Sequence, residues 1–283
     1  MRTILCPSMR QPDSIVVAEK VRCLLRDCGI ESVYCPMYDD SEAVLPVGAE
    51  LGDIREEKLR SDALVVFGGD GALLRAARLV SDAGLPIVAV NLGHLGFIAE
   101  IGPDDIGNLR HLADGQYSVM NRMMMDVKLM RDGVCILEDT VLNDAEIKGQ
   151  SRVISLEISG DDNTMLRYTG DGVIVATPTG STAYSMAAGG PIVEPDTENI
   201  IVTPICPHML AARSFVLAPA RTVRVRILPD RKNPAELSCD GNDGIMLATD
   251  DVIEVRRSEQ LTRLIRFTDR SFYSTLFEKL GER

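Results

Sequence analysis

Two stretches of this chain combine glycine, aspartate and small hydroxyl residues in a way that suits an anionic ligand. The first is Gly68-Gly69-Asp70-Gly71, which follows the unbroken apolar run Ala63 to Phe67. Such a run reads as a strand buried on both faces, and Ala72 to Ala83 after it reads as a helix. A glycine loop between a buried parallel strand and a helix lies at the carboxyl edge of the sheet, where ligands bind in α/β proteins. Glycines there let the backbone approach phosphate oxygens, and the helix N-terminus adds donors and the positive end of a dipole. Asp70 repels phosphate on its own, so its chemistry is that of a general base for a hydroxyl, or of a group acting through a metal ion. The same four residues also fit a tight turn with an N-capping aspartate. The loop taken alone leaves both readings open.

The second stretch runs Gly170-Asp171-Gly172, then Thr177-Pro178-Thr179-Gly180-Ser181-Thr182-Ala183-Tyr184-Ser185, then Gly189-Gly190-Pro191. So many small residues suit a backbone packed closely on a ligand, although a surface loop has a similar composition. The apolar strand Val173 to Ala176 feeds directly into it. A further Asp-Gly pair, Asp240-Gly241, follows Ser238-Cys239. Better-known signatures are missing. The sequence has no G-x-x-x-x-G-K-[ST], no G-x-G-x-x-G after its first strand and no G-x-S-x-G, which argues against a Walker-type site, an ordinary Rossmann dehydrogenase and an α/β-hydrolase. Its three histidines are His94, His111 and His208.

These loops need a frame. The first ~120 residues alternate strands and helices, the pattern of a parallel sheet covered by helices. Thr3 to Cys6, Ala63 to Phe67 and Pro86 to Val90 read as strands, and Ser14 to Cys28 has helical spacing. From about Met120 the rhythm changes to short strands: Met125 to Met130, Val134 to Glu138 and Val153 to Ser159. The turn Gly160-Asp161-Asp162-Asn163 into Met165 to Thr169 predicts a hairpin. Thr222 to Leu228 alternates apolar and cationic residues, so one face is buried and one wet. Val252 to Val255 and Leu264 to Phe267 read as two further strands, and Phe272 to Leu280 as a short helix. The expected architecture is an α/β domain over 1–120, a β-rich, sandwich-like domain over 121–265, and a tail over 266–283 that returns to the first domain.

Composition narrows the partners. With 283 residues, 45% hydrophobic and 25% charged, the chain is globular by composition. A net charge of −12 argues against a nucleic-acid backbone as partner, since that needs a basic footprint. Anions must therefore be held locally, by backbone N–H groups, helix ends or a metal. No apolar run reaches the ~18 residues that span a bilayer, and MRTILCPSMR lacks the marks of a signal peptide. Seven scattered cysteines form no C-x-x-C pair, as expected of reduced thiols in a cytoplasmic protein.

Taken in order, the motifs resemble those of the NAD kinase family. Members carry a GGDG loop, an N-x-G-x-L-G-F segment, an Asn-Glu pair, a G-D-G-x-x-x-x-T-P-T-G-S-T-A-Y-S block followed by G-G-P, a P-x-x-P-H segment and a late D-G pair. Here these are Gly68 to Gly71, Asn91 to Phe97, Asn143-Asp144, Gly170 to Ser185 with Gly189 to Pro191, Pro204 to His208 and Asp240-Gly241. The resemblance covers roughly residues 62 to 280 and includes Thr268-Asp269-Arg270-Ser271-Phe272-Tyr273. Three positions depart from the family pattern: Asp144 replaces glutamate, Asn242 replaces the glutamine of D-G-Q, and Ser214 replaces the proline after Arg213.

The resemblance implies an NAD kinase-like fold and an enzyme that phosphorylates the adenosine-ribose 2′-hydroxyl of NAD. It implies that Asp70 is catalytic, and that Gly68, Gly69 and Gly71 hold the donor's phosphates. Asn143 and Asp144 would bind the adenosine part of NAD. Thr182, Ala183, Tyr184 and Ala187 would line the dinucleotide pocket, with Phe97 packed near it and Asp171 on the nicotinamide side, at or across a subunit interface. His208 falls in a matched motif, with a buried structural histidine as the alternative. The implied donor is ATP or polyphosphate, with Mg²⁺ or another divalent cation held by phosphates and waters rather than by a carboxylate cage. A homodimer or homotetramer is implied, with no nucleic acid and no membrane. The rivals are a lipid, sphingoid-base or phosphofructokinase-like kinase that shares only the GGDG loop, and a dinucleotide sensor that binds without turnover.

Overall fold

Three of the four parallel strands are short apolar segments buried along nearly their whole length, and the fourth, at the sheet edge, is buried only at Val33 and Tyr34. The computed structural model describes residues 1–8, 12–37, 46–93, 96–99, 101–229 and 233–281. His94 and Leu95 of the Asn91-to-Phe97 motif lie outside the described residues. The chain divides into two compact units, one of Met1–Asn121 with Leu261–Arg283 and one of Arg122–Gln260.

The first unit runs β1 (Arg2–Pro7), α1 (Pro12–Asp27), β2 (Glu31–Tyr34), α2 (Ile54–Glu57), β3 (Ala63–Phe67), α3 (Asp70–Val80), β4 (Ile87–Val90) and α4 (His111–Asp114). Its strands lie in the order β2-β1-β3-β4, all parallel, with Leu5 beside Val65 and Val65 beside Val88. Leu264, from the last strand of the chain, pairs in parallel with Ile87. Every residue of β3 is buried, as expected of a central strand in a sheet covered by helices. Helix α1 presents Ala18, Val21 and Leu25, spaced by three and four residues, to a core of Leu5, Val65, Phe67, Val88, Val90 and Ile265. Helix α3 begins at Asp70, two residues earlier than the apolar spacing predicts, and closes with a 3₁₀ turn over Ser81–Ala83.

The second unit is a β-sandwich. Its strands are β5 (Ser118–Arg131, which starts in the first unit), β6 (Val134–Val141), β7 (Asp144–Gly149), β8 (Ile154–Gly160), β9 (Asn163–Gly170), β10 (Gly172–Ala176), β11 (Ile200–Ile205), β12 (Phe215–Leu217), β13 (Val223–Ile227), β14 (Ala235–Cys239), β15 (Ile245–Leu247) and β16 (Val252–Arg266, which ends in the first unit). One sheet is antiparallel in the order β12-β11-β10-β7-β14-β15. The other contains β16-β13-β8-β9, with β5 between β16 and β6. Alternate residues fill the space between them: Ala145, Ile147, Val173, Val175 and Leu237 from one sheet meet Val127, Leu129, Leu156, Ile158, Val223 and Val225 from the other. Strands β8 and β9 form the expected hairpin, with Gly160 opposite Asn163 and Asp161 in a left-handed conformation.

One expectation is corrected. Val252 to Val255 and Leu264 to Phe267 are not separate strands but the two ends of β16. The polar run Arg256 to Gln260 hides the continuity, because Arg256, Arg257 and Glu259 are exposed while Ser258 is buried in an apolar residue's place.

Candidate active site

The carboxyl edge of the parallel sheet carries the first cluster. Gly68 sits at φ +155°, and a Cβ there would lie 2.8 Å from the Ala72 Cβ, so conformation and space both demand glycine. Gly69 is the N-cap of α3, and among the described residues no side chain caps that helix. The capping reading of Asp70 is therefore corrected: the carboxylate turns away from its own helix. Its Oδ2 accepts the Phe97 N–H at 2.9 Å, and its Oδ1 accepts those of Ile98 at 3.3 Å and Ala99 at 3.1 Å. Gly71 is exposed with open space around its Cα. Phe97 is half-buried.

Sheet register builds the second cluster. Ala176 at the end of β10 pairs with Asp144 at the start of β7, and Cys239 at the end of β14 pairs with Ala145. The loops after β10 and β14 thus flank Asn143-Asp144. Asp240 ties this corner, its carboxylate accepting N–H groups of Leu142 (2.9 Å), Asn143 (2.7 Å) and Asp144 (3.1 Å). Thr177 ties it from the other side. Its hydroxyl donates to Leu142 O at 2.6 Å, its N–H donates to Asn143 O at 2.8 Å, and its Oγ1 accepts the Gly180 N–H at 3.1 Å. Gly180 has no room for a side chain, since a Cβ would lie 2.2 Å from Asn143 O. Among the described residues, Asn143 Oδ1 and Thr179 Oγ1 are buried without a hydrogen-bond partner, which is costly unless a ligand completes them.

Because Ala145 and Ile147 face the sandwich core, Asp144, Glu146 and Lys148 share the opposite face of β7. Burial first, then the charges of Asp240 and Glu146, push the Asp144 carboxyl up to about 7. Lys148 lies 3.0 Å from Glu146 and 3.5 Å from Glu236. Thr182 and Ala183 are half-buried between the turn Thr179–Thr182 and α5 (Tyr184–Ala187). Tyr184 and Ala187 of that helix are exposed. The Tyr184 hydroxyl is pushed up by burial and then by Glu146, with smaller effects from Lys148 and Asp171. The loop from Thr177 therefore folds back along the sheet face. Asp171 is exposed at the far end of β10, where Gly172 pairs with Lys148, about 13 Å along the strand from Asp144. It accepts the Cys206 thiol, whose pKa rises as a result.

The predicted residues thus form two groups: Gly68, Gly69, Asp70, Gly71 and Phe97 in the first unit, and Asn143, Asp144, Asp171, Thr182, Ala183, Tyr184 and Ala187 in the second. His208 is exposed and holds Thr169 O through its backbone N–H at 2.8 Å, so the buried-histidine alternative is corrected. Glu146 and Lys148 were not anticipated, although alternation from Asp144 points to them. The Asp240-Gly241 motif marks Asp240 in the sequence without giving it a role. Among the described residues, no group of three or more His, Cys, Asp or Glu side chains could hold a metal ion. No helix there is long and apolar enough to cross a membrane.

Residues 19–117 match the model of the ATP-NAD kinase N-terminal domain, and residues 142–267 that of the ATP-NAD kinase C-terminal domain. The NAD kinase of Acetivibrio thermocellus is 39% identical over 264 residues, covering 92% of this chain and 90% of its own. That of Syntrophotalea carbinolica is 36% identical over 279 residues, covering 95% and 94%. Among solved structures, yeast NADH kinase complexed with NADH superposes with a TM-score of 0.87 at 24% identity, covering 100% of this chain and 88% of its own. An NAD kinase from Archaeoglobus fulgidus in complex with ATP gives 0.73 at 22% identity, covering 99% of each. At such identities the two structures establish a shared fold.

Proposed function

The chain belongs to the NAD kinase family, and from that premise we propose how its residues divide the transfer of a phosphoryl group to the adenosine-ribose 2′-hydroxyl of NAD. Asp70 is the general base. The 2′-hydroxyl gives its proton to this carboxylate as its oxygen attacks the donor's terminal phosphorus, and the bond to the leaving phosphate oxygen breaks. Gly68, Gly69 and Gly71, with the N-terminus of α3, hold the donor's phosphates. Asn143 and Asp144 take the adenosine ribose and base, and the buried orphan Asn143 Oδ1 supports a polar partner there. Thr182, Ala183, Tyr184 and Ala187 line the dinucleotide pocket, Asp171 faces the nicotinamide end, and Phe97 offers its ring to bound nucleotide.

The donor is ATP, or polyphosphate, since contacts to phosphate need not read a base. The donor set fits a divalent cation that arrives with the polyphosphate. Asp70 spends most of its acceptor capacity on three N–H groups, and no carboxylate cluster competes among the described residues. Such a cation would supply charge neutralisation, offsetting the repulsion between Asp70 and the donor's phosphates. Seven thiols without disulfides support a cytoplasmic enzyme, working as a homodimer or homotetramer.

One observation carries this reading: a carboxylate fixed at the carboxyl edge of the parallel sheet, one residue past two glycines. The test is NADP formation by purified protein with NAD, ATP and Mg²⁺, beside Asp70→Asn. Loss of general-base catalysis lowers kcat by about 10³-fold. Turnover by the variant near the wild-type rate removes Asp70 from the chemistry.

A further inference from the structure

The Asp70 carboxylate is held from outside its own helix, by a loop that the phosphate contacts do not explain. Three consecutive backbone N–H groups, of Phe97, Ile98 and Ala99, converge on its two oxygens. The loop that carries them is closed at its base. Val90 and Ile101 form a parallel bridge, and the Asn91 N–H donates to Ile101 O at 2.8 Å. The buried Asn91 side chain accepts the Gly93 N–H at 3.0 Å, turning the chain back near Gly69. Buried Ala99 and Ile101 anchor the return.

Gly96 stands where the carboxylate comes in. A Cβ at this position would lie 2.1 Å from Asp70 Oδ1 and 2.4 Å from both Cγ and Oδ2. The atoms it would strike belong to a side chain that can rotate, so an added methyl displaces the carboxylate rather than the backbone.

We propose that Gly96 is a positioning residue, and that the amides of Phe97 to Ala99 form a cradle that aims the Asp70 carboxylate at the acceptor hydroxyl. A carboxylate has about four lone-pair sites. Oδ1 takes two N–H groups and Oδ2 takes one, which leaves one acceptor site on Oδ2 for the incoming hydroxyl. The cradle thus selects the oxygen that receives the proton as well as holding its direction. The inference rests on the assignment of Asp70 as the base.

Its test is a double-mutant cycle with Gly96→Ala and Asp70→Asn in the full-length enzyme, assayed with NAD, ATP and Mg²⁺. Gly96→Ala folds, keeps KM for both substrates within about threefold, and loses about 100-fold in kcat, the effect of displacing a reacting group by about 1 Å. In the Asp70→Asn background the same substitution costs nothing more, because both act on one carboxylate. Near-wild-type kcat in Gly96→Ala overturns the cradle, and so does an equal loss in both backgrounds. If Gly96→Ala fails to fold, amide hydrogen exchange in Asp70→Ala decides. Protection of the Phe97, Ile98 and Ala99 amides falls tenfold or more if they donate to the carboxylate, and unchanged protection overturns the proposal. An active Asp70→Asn enzyme with a loss of amide protection in Asp70→Ala leaves the cradle standing and rejects only the base.

Discussion

Asp144 is an acid that the fold makes reluctant to ionise. Burial dominates, with Asp240 and Glu146 adding like charge, and the carboxyl rises from 3.8 to about 7. In the unfolded chain the group loses its proton near the lower value, so the folded state binds more protons between the two. Stability therefore falls as pH climbs from about 4 to about 7, and the penalty is constant above that. Asn has the same shape and no charge to desolvate. Asp144→Asn should raise Tm little at pH 4, progressively more toward pH 7, and by a steady amount at pH 8, read by thermal melts across that range. A Tm difference that does not vary with pH places the proton elsewhere. At this scale the sequence singles out residues where a motif names them, as for Asp70 and Asn143-Asp144. It was silent on Asp240 as the acceptor for three backbone N–H groups, because 96 residues separate it from Asp144 and only the β7–β14 register brings them together.

Elements place these residues through backbone contacts that tolerate no side chain. Gly180 is the tightest of them, packed on the main chain of Asn143, where a Cβ would sit 2.2 Å from O, 2.6 Å from C and 2.8 Å from Cα. No rotamer relieves a backbone clash, so Gly180→Ala must push the loop after β10 away from the start of β7. That breaks the Thr177 hydrogen bonds to Leu142 and Asn143. Overpacking of this kind costs about 3 kcal/mol, and it should show as a lower denaturant midpoint together with weaker NAD binding by calorimetry. A variant that loses stability but binds NAD normally separates the loop from the pocket. Elements with one dominant period were legible beforehand: the all-apolar β3 and the α1 stripe of Ala18, Val21 and Leu25. Strand β16 was not. It passes from one unit to the other, so its buried face changes along its length and the middle carries Arg256, Arg257 and Glu259. The same crossing lengthens β5, which starts at Ser118, well before the apolar run at Met125.

For the molecule as a whole, the governing quantity is charge. The enzyme carries −12, yet both of its proposed substrates are anions, the donor strongly so and NAD through a diphosphate whose charge its nicotinamide cation only half offsets. Its attraction for them must come from short-range donors: the N-terminus of α3, the loop amides and Lys148. That last charge is already shared with Glu146 and Glu236. Long-range repulsion between like charges is screened over about 10 Å at 0.1 M salt, whereas hydrogen bonds at contact are screened far less. Added salt should therefore help encounter without dissolving the site, the reverse of an enzyme that steers anions with a basic surface. At fixed free Mg²⁺, kcat/KM for NAD should rise by about threefold between about 20 and 150 mM salt, with kcat nearly constant. A fall in kcat/KM over that range instead means that a locally basic mouth outweighs the net charge. Lys148→Gln then tests its source, since losing that slope in the variant identifies Lys148 as the residue that draws the dinucleotide in.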